Sequence, residues 1–178
     1  MYEIKNSTIS HLTEWEFKSD KMYYDSSNFP TIGIGHRIMK KDETFMGKKL
    51  MQDVLSNDEI DALLRQDLNV RVKAIDTICH KIKINLNQNQ VDALVLFIFN
   101  EGTIWNGLSN VINDKNNTES IIRKQWASYN KSLNKVVPGL INRRQGEVDL
   151  YFSVYEGRNF YVKSFTNAYG KIVNGYGE

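Results

Sequence analysis

Cysteine occurs once, at Cys79, so no disulfide can close within the chain and the fold has to stand on packing. The lone thiol reads as a small buried hydrophobe rather than a reactive group. Proline is scarce: Pro30 and Pro138 are the two, and each stands at an expected boundary between elements. The three histidines, His11, His36 and His80, are not spaced as metal ligands, so no metal is expected. No cofactor is expected either. An excess of one charge sign is missing: Lys plus Arg number 23 against 21 Asp plus Glu, a net +2. That balance does not describe a nucleic-acid binder, which usually carries a concentrated basic stripe. No stretch approaches the ~20 apolar residues of a membrane span. No apolar run follows a basic start, so no secretory leader is expected.

What is present is enough for a core, since 41% of the 178 residues are hydrophobic. Ile9, Leu12 and Trp15 or Glu16 fall on one helical face, predicting a short helix that ends near Glu16. From Met22 to Arg37 the pattern changes to aromatic and β-branched residues broken by Asn28, Pro30, Gly33 and Gly35, which predicts a small β-hairpin region. Ser56 with Glu59 forms a capping-box signature, opening a helix through Ile60, Leu63, Leu64 and Leu68 to about Ile78. Asn87 with Gln90 opens another. Its run from Val91 to Phe99 is apolar nearly all round, so that helix is expected to be buried on most sides and to end at Gly102. Further helices are predicted after Thr118, with Trp126 turned to the core, and from Pro138, carrying Leu140, Ile141, Val148 and Tyr151. The segment 156–178 holds five aromatics and four glycines, reads as ordered, and fits no single element type. The fold class is α+β, mostly helical with a small sheet near the N-terminus.

Glu16 and Asp25 make a candidate acid–base pair. The first is expected at a helix end and the second in the hairpin region, so the two can face each other across a cleft. Hydrolysis of a glycosidic bond uses two such carboxyls, one to protonate the leaving oxygen and one to activate water or stabilise charge on the sugar. Acidic residues nine positions apart are common, however, and the spacing by itself does not single this pair out. Glu14 and Asp20, nearby carboxylates, read as surface charges.

Three stretches together are more specific. Glu16, eight residues, Asp25, five residues and then Thr31-Ile32-Gly33-Ile34-Gly35-His36 is the first. Asn87 to Leu94 continuing through Phe99-Asn100-Glu101-Gly102 is the second, and Gly139-Leu140-Ile141-Asn142-Arg143-Arg144-Gln145-Gly146-Glu147 the third. In this order, over roughly residues 8 to 153, they resemble the phage-type lysozyme (endolysin) family of glycoside hydrolases.

The resemblance implies a lysozyme-like catalytic domain over 1–155. Its small β-containing lobe would span about 17–55 and its helical lobe about 56–155, with 156–178 an extension packed on it. It implies a muramidase acting on peptidoglycan glycan strands at the β-1,4 bond between N-acetylmuramic acid and N-acetylglucosamine. Glu16 would be the general acid, Asp25 the carboxylate that activates water or steadies the sugar cation, and Thr31 the holder of the water. Gly33, Ile34, Phe17 and Asn100 would line the substrate. Asn100 could equally cap its helix. His36 would pair with Asp67, and Arg143 or Arg144 would stand behind Glu16, one arginine facing inward and the other outward. Trp15 and Trp105 could stack on sugars.

The chain departs from the family pattern at Phe17, where glycine is usual, at Asp20, where an apolar residue is usual, and at Ile34, where an aromatic is usual. The alternative activities are a lytic transglycosylase on the same bond, against which the retention of Asp25 and Thr31 argues, and an inactive wall-binding module. A monomer is expected. It would be made in the cytoplasm and reach the periplasm or cell wall through a phage holin or a secretion apparatus. In the secreted-effector case an immunity protein would be a partner.

Overall fold

Two capping boxes start two of the buried helices. The Ser56 hydroxyl accepts from the Glu59 amide and the Glu59 carboxylate from the Ser56 amide, opening α2 (Asn57–Ile82). Asn87 and Gln90 exchange the same pair of bonds at the head of α3 (Gln88–Glu101). Each box satisfies two backbone donors that the first helical turn leaves open. The α2 helix runs past its expected stop at Ile78 and ends where Lys83 adopts φ 56. Gly102, at φ 82, ends α3.

This computed structural model describes residues 2–153 apart from 26, 27, 42, 103–105 and 133, and beyond them only the strands at 165–166 and 172–173. In chain order α1 is Asn6–Trp15, β1 Lys18–Tyr24, β2 Pro30–Ile34 and β3 His36–Arg37. A hairpin of β4 (Thr44–Phe45) and β5 (Lys48–Lys49) precedes α2. After α3 come α4 (Asn106–Asn113), α5 (Glu119–Ala127), a hairpin of β6 (Lys131–Ser132) and β7 (Lys135–Val136), and α6 (Pro138–Phe152). Strands β8 (Phe165–Thr166) and β9 (Ile172–Val173) pair antiparallel, with β8 beside α6. The rest of 154–178 lies outside the described residues. The architecture is α+β, mostly helical with small antiparallel sheets, as the sequence predicts.

The core is built around α3. Val91, Ala93, Leu94, Val95 and Phe97 are all fully buried, so the helix has no wet face along this run. Each Leu or Phe side chain so buried contributes on the order of 1.5–3 kcal/mol. The packed neighbours are α1, α2 and α6. Phe97 meets Trp126 edge-on at 5.4 Å, and Trp126 meets Tyr151 at the same distance. Trp126 therefore belongs to the core, as its place on an amphipathic stripe predicts. Cys79 is buried as well.

The sheet hangs on the end of α1. Its order is β1-β2-β3, antiparallel throughout. Lys18 pairs with Ile34 and Tyr23 with Thr31, with a bulge between Ser19 and Tyr23. The bulge absorbs the extra length of β1 and re-aims its far end. Gly33 (φ 64) and Gly35 (φ 69) take the left-handed backbone that the tight return to β3 requires. A Cβ on Gly33 would meet Ile60 and Leu63 at 3.7 Å, and one on Gly35 would meet the Phe99 ring at 3.4 Å. Those are ordinary contacts, so glycine is required at both positions by the positive φ rather than by lack of space.

Candidate active site

Glu16 is the C-cap residue of α1, with extended backbone (ψ 149) and its amide bonded to the Leu12 carbonyl. Leaving the helix there turns its side chain toward α6. Arg143 Nη1 donates to Glu16 Oε1 at 2.6 Å, and Arg143 Nε donates to Glu147 Oε1 at 3.1 Å. Glu147 is fully buried, and its other oxygen accepts from Trp126 Nε1 at 2.9 Å. Burial works against the Arg143 charge. Glu16 and Glu147 more than offset it and hold the guanidinium above its ordinary value.

Arg144 departs from expectation. It is not the outward member of the pair but is 1% exposed, more deeply buried than Arg143. Its guanidinium lies over Phe97, donates to the Asn100 amide oxygen, and stands 3.5 Å from Glu101 and 3.4 Å from Glu147. Successive helical residues can both face inward where the surrounding bundle supplies carboxylates for each. The same rotation puts Ile141, expected on the apolar face, on the surface.

Asp25 follows β1 at the hairpin turn. Its backbone amide donates to the Phe29 carbonyl at 3.0 Å, and its Oδ1 accepts from the Phe29 amide at 2.9 Å. Arg37, from β3, brings Nε to 3.2 Å from Asp25 Oδ2 and lays its guanidinium 4.4 Å over the Phe29 ring. Sequence reasoning missed Arg37, whose place beside Asp25 follows only from the strand register. Thr31, 2% exposed, sits opposite Tyr23 and donates its hydroxyl to the Phe29 carbonyl at 3.0 Å.

His36 Nδ1 lies 2.9 and 3.1 Å from the two oxygens of Asp67, tying β3 to α2. Arg71, a turn further along α2, was also missed. It donates to the Asp67 carbonyl at 2.8 Å and stacks 4.4 Å over Phe99. Burial lowers the Arg71 pKa, with Asp67 and then Glu16 opposing, so the field of Glu16 reaches this residue too.

The expected sugar-facing residues divide. Phe17 is 48% exposed beside Glu16 and meets Tyr23 edge-on at 5.0 Å. Ile34 is 4% exposed and packs in the core, because its strand position points at the helices, so its side chain offers a sugar no face. The open side of Gly33 likewise looks onto α2. Trp15, at 4% exposure, is core, with the Arg143 guanidinium 5.2 Å from its ring. Trp105 lies outside the described residues. Asn100 is exposed at the end of α3 and bonded to Arg144. Among the described residues no cluster of His, Cys, Asp and Glu could hold a metal ion, and no helix is long and apolar enough to cross a membrane.

His11, one helical turn before Trp15, gives a stability prediction. Burial, helped by the nearby Arg143 charge, lowers its pKa below the ordinary 6.5. Between the folded and unfolded values only the unfolded chain binds the proton, so stability falls as pH drops through 6.5. His11→Phe is expected to flatten the fall in urea midpoint between about pH 7.5 and 5.5. An equal fall in both proteins would place the effect elsewhere.

A carboxyl gripped by an arginine at a helix end and a second carboxylate anchored in an adjoining hairpin, on a helical core, define a lysozyme-like α+β protein. The chain belongs to the phage lysozyme family, whose model matches residues 13–147. It is 34% identical to the endolysin of Salmonella phage P22 over 57% of this chain and 65% of that protein. It is 30% identical to the endolysin of Bacillus phage PZA over 69% of this chain and 44% of that one. The chain thus spans less than two thirds of the length of either relative. A crystal structure of a P22 lysozyme mutant superposes with TM-score 0.69 at 28% identity, covering 86% of this chain and all of that one.

Proposed function

We propose that this protein is a peptidoglycan muramidase, a glycoside hydrolase that cuts the β-1,4 bond between N-acetylmuramic acid and N-acetylglucosamine. Glu16 gives its proton to the leaving oxygen. Asp25 activates the attacking water or steadies the positive charge on the sugar, and the Thr31 hydroxyl accepts one of that water's hydrogens. The observation that carries this reading is that two carboxyls are held separately, one at the end of α1 and one in the hairpin, each fixed by its own partners. Glu16 is held from behind by a buried arginine, which occupies Oε1 and leaves Oε2 for the proton. Asp25 is fixed by the Phe29 backbone amide and by Arg37. A fixed carboxylate and a separately placed acid are the parts that glycoside hydrolysis needs. Phe17, paired with Tyr23, gives an apolar face at the acid's edge for a sugar ring. Membership of the phage lysozyme family supports the same chemistry, and the endolysin names of its relatives support a role in bacterial lysis after release to the wall.

Mass spectrometry of digested peptidoglycan tests the reaction. Fragments with reducing N-acetylmuramic acid ends are expected. Anhydro-muramic ends would instead mean that the sugar's own hydroxyl displaces the leaving group, as in a transglycosylase. An undigested wall would leave a binding module.

A further inference from the structure

Glu147 is buried completely and meets Arg143 at Nε, while Glu16 meets it at Nη1, so Glu147 can touch no substrate. It nevertheless accepts from two donors, Arg143 Nε and Trp126 Nε1, and lies in an ion pair 3.4 Å from Arg144 Nη1, which makes no hydrogen bond to it. A carboxylate removed this far from water costs several kcal/mol, and a helix-packing role alone would be served as well by an apolar side chain.

The charges around it explain the arrangement. Two arginines, Arg143 and Arg144, enter the interior from α6. Two carboxylates answer them, Glu147 from the same helix and Glu101 from α3. From α2, Arg71 and Asp67 form a further opposed pair, with His36 of β3 on Asp67. His11 on α1 is kept neutral by its burial and by Arg143. Lys18 of β1 is engaged with Asn57. With His36 taken as neutral, three guanidiniums (Arg143, Arg144, Arg71) stand among three carboxylates (Glu147, Glu101, Asp67) behind Glu16, and without Glu147 the cations would outnumber the carboxylates by one.

We infer that Glu147 is a positioning residue for the acid, a buried counter-charge to Arg143 that lets the arginine orient Glu16 without drawing off its proton. Arg143 alone behind the acid would favour the carboxylate, which cannot donate. With Glu147 on its Nε edge, the guanidinium keeps its geometry while a buried negative charge opposes its field at Glu16. Arg144 acts in the opposite sense, since it adds positive charge within reach of Glu16.

This inference rests on the reading of Glu16 as the acid, and the experiment separates the two. The alkaline limb of the kcat/KM–pH profile reports the group that must be protonated in the free enzyme. With soluble peptidoglycan fragments as substrate, Glu147→Gln, which keeps the shape and one acceptor for Trp126, is expected to move that limb down by on the order of 1 pH unit. Arg144→Gln is expected to move it up, and the double variant to bring it back toward wild type. A loss of rate at every pH with the limb unmoved in folded Glu147→Gln makes Glu147 merely structural and overturns the inference. If Glu147→Gln alone fails to fold, the double variant compared with Arg144→Gln decides: a lower limb in the double variant supports the inference and an equal one overturns it. Glu16→Gln, run alongside, addresses the underlying reading: retention of wild-type activity there removes the acid itself, whatever the other profiles do.

Discussion

Glu16→Gln is expected to lower the rate of wall clearance by about 10²- to 10⁴-fold, the usual contribution of a positioned general acid. The amide is isosteric and keeps an oxygen for Arg143 Nη1, so the 2.6 Å contact that holds the side chain has a replacement. What the amide lacks is an acidic proton. The leaving sugar oxygen would then depart as an alkoxide, and the barrier rises accordingly. Because Glu16 is only partly exposed and caps α1 through its backbone rather than its side chain, the fold is expected to survive. Turbidity loss of a cell-wall suspension gives the rate and circular dichroism gives the fold. A folded variant clearing walls at the parent's rate would falsify the assignment of Glu16.

Arg143→Met is expected to damage stability and activity together. Methionine fills much of the same volume but brings no charge. Glu147, fully buried, would be left with the Trp126 donor and with Arg144 at 3.4 Å. Glu16 would lose the hydrogen bond that fixes its Oε1. Removing one member of a buried ion pair typically costs 3–5 kcal/mol, because the partner's desolvation is no longer compensated. With urea slopes of about 1–3 kcal/mol/M, the midpoint is expected to fall by roughly 1–5 M. Catalysis should fall chiefly in kcat, since the arginine touches the acid and not the sugar. An unchanged urea midpoint would mean that the network contributes nothing net, and kcat at the wild-type level would mean that Arg143 does not orient the acid.

The parts of the fold that could be read from the chain were those governed by local rules. Capping residues placed the starts of α2 and α3 correctly at Ser56 and Asn87. An apolar run with no polar face predicted that α3 would be enclosed, and it is. Pro138 opens α6, where its missing amide costs nothing. Local rules failed where neighbours decided. The first half of β1, Lys18 to Lys21, has no strand propensity, and it extends because Lys18 and Ser19 pair with Ile34 and Gly33. The β4–β5 hairpin turns on Met46 and Gly47, both at positive φ, and methionine at the first of those positions gives no warning of it. The short α4, with Leu108 buried, follows residues that no strong signal brackets.

The sequence by itself determined the family, the fold class and the identity of the candidate acid–base residues, because these lie in short strings whose order survives without any knowledge of contacts. Only the tertiary structure decided how those residues are electrically supported. That Arg37 reaches Asp25, that Arg143 rather than Arg144 grips Glu16, and that both arginines are buried against Glu147 and Glu101 depend on strand register and on the rotation of α6 in its bundle. The physical reason is range. Caps and turns are satisfied within a few residues of the chain, whereas a buried charge is tolerated only by partners that the fold brings from elsewhere, here from 127 positions away in the case of Glu16 and Arg143.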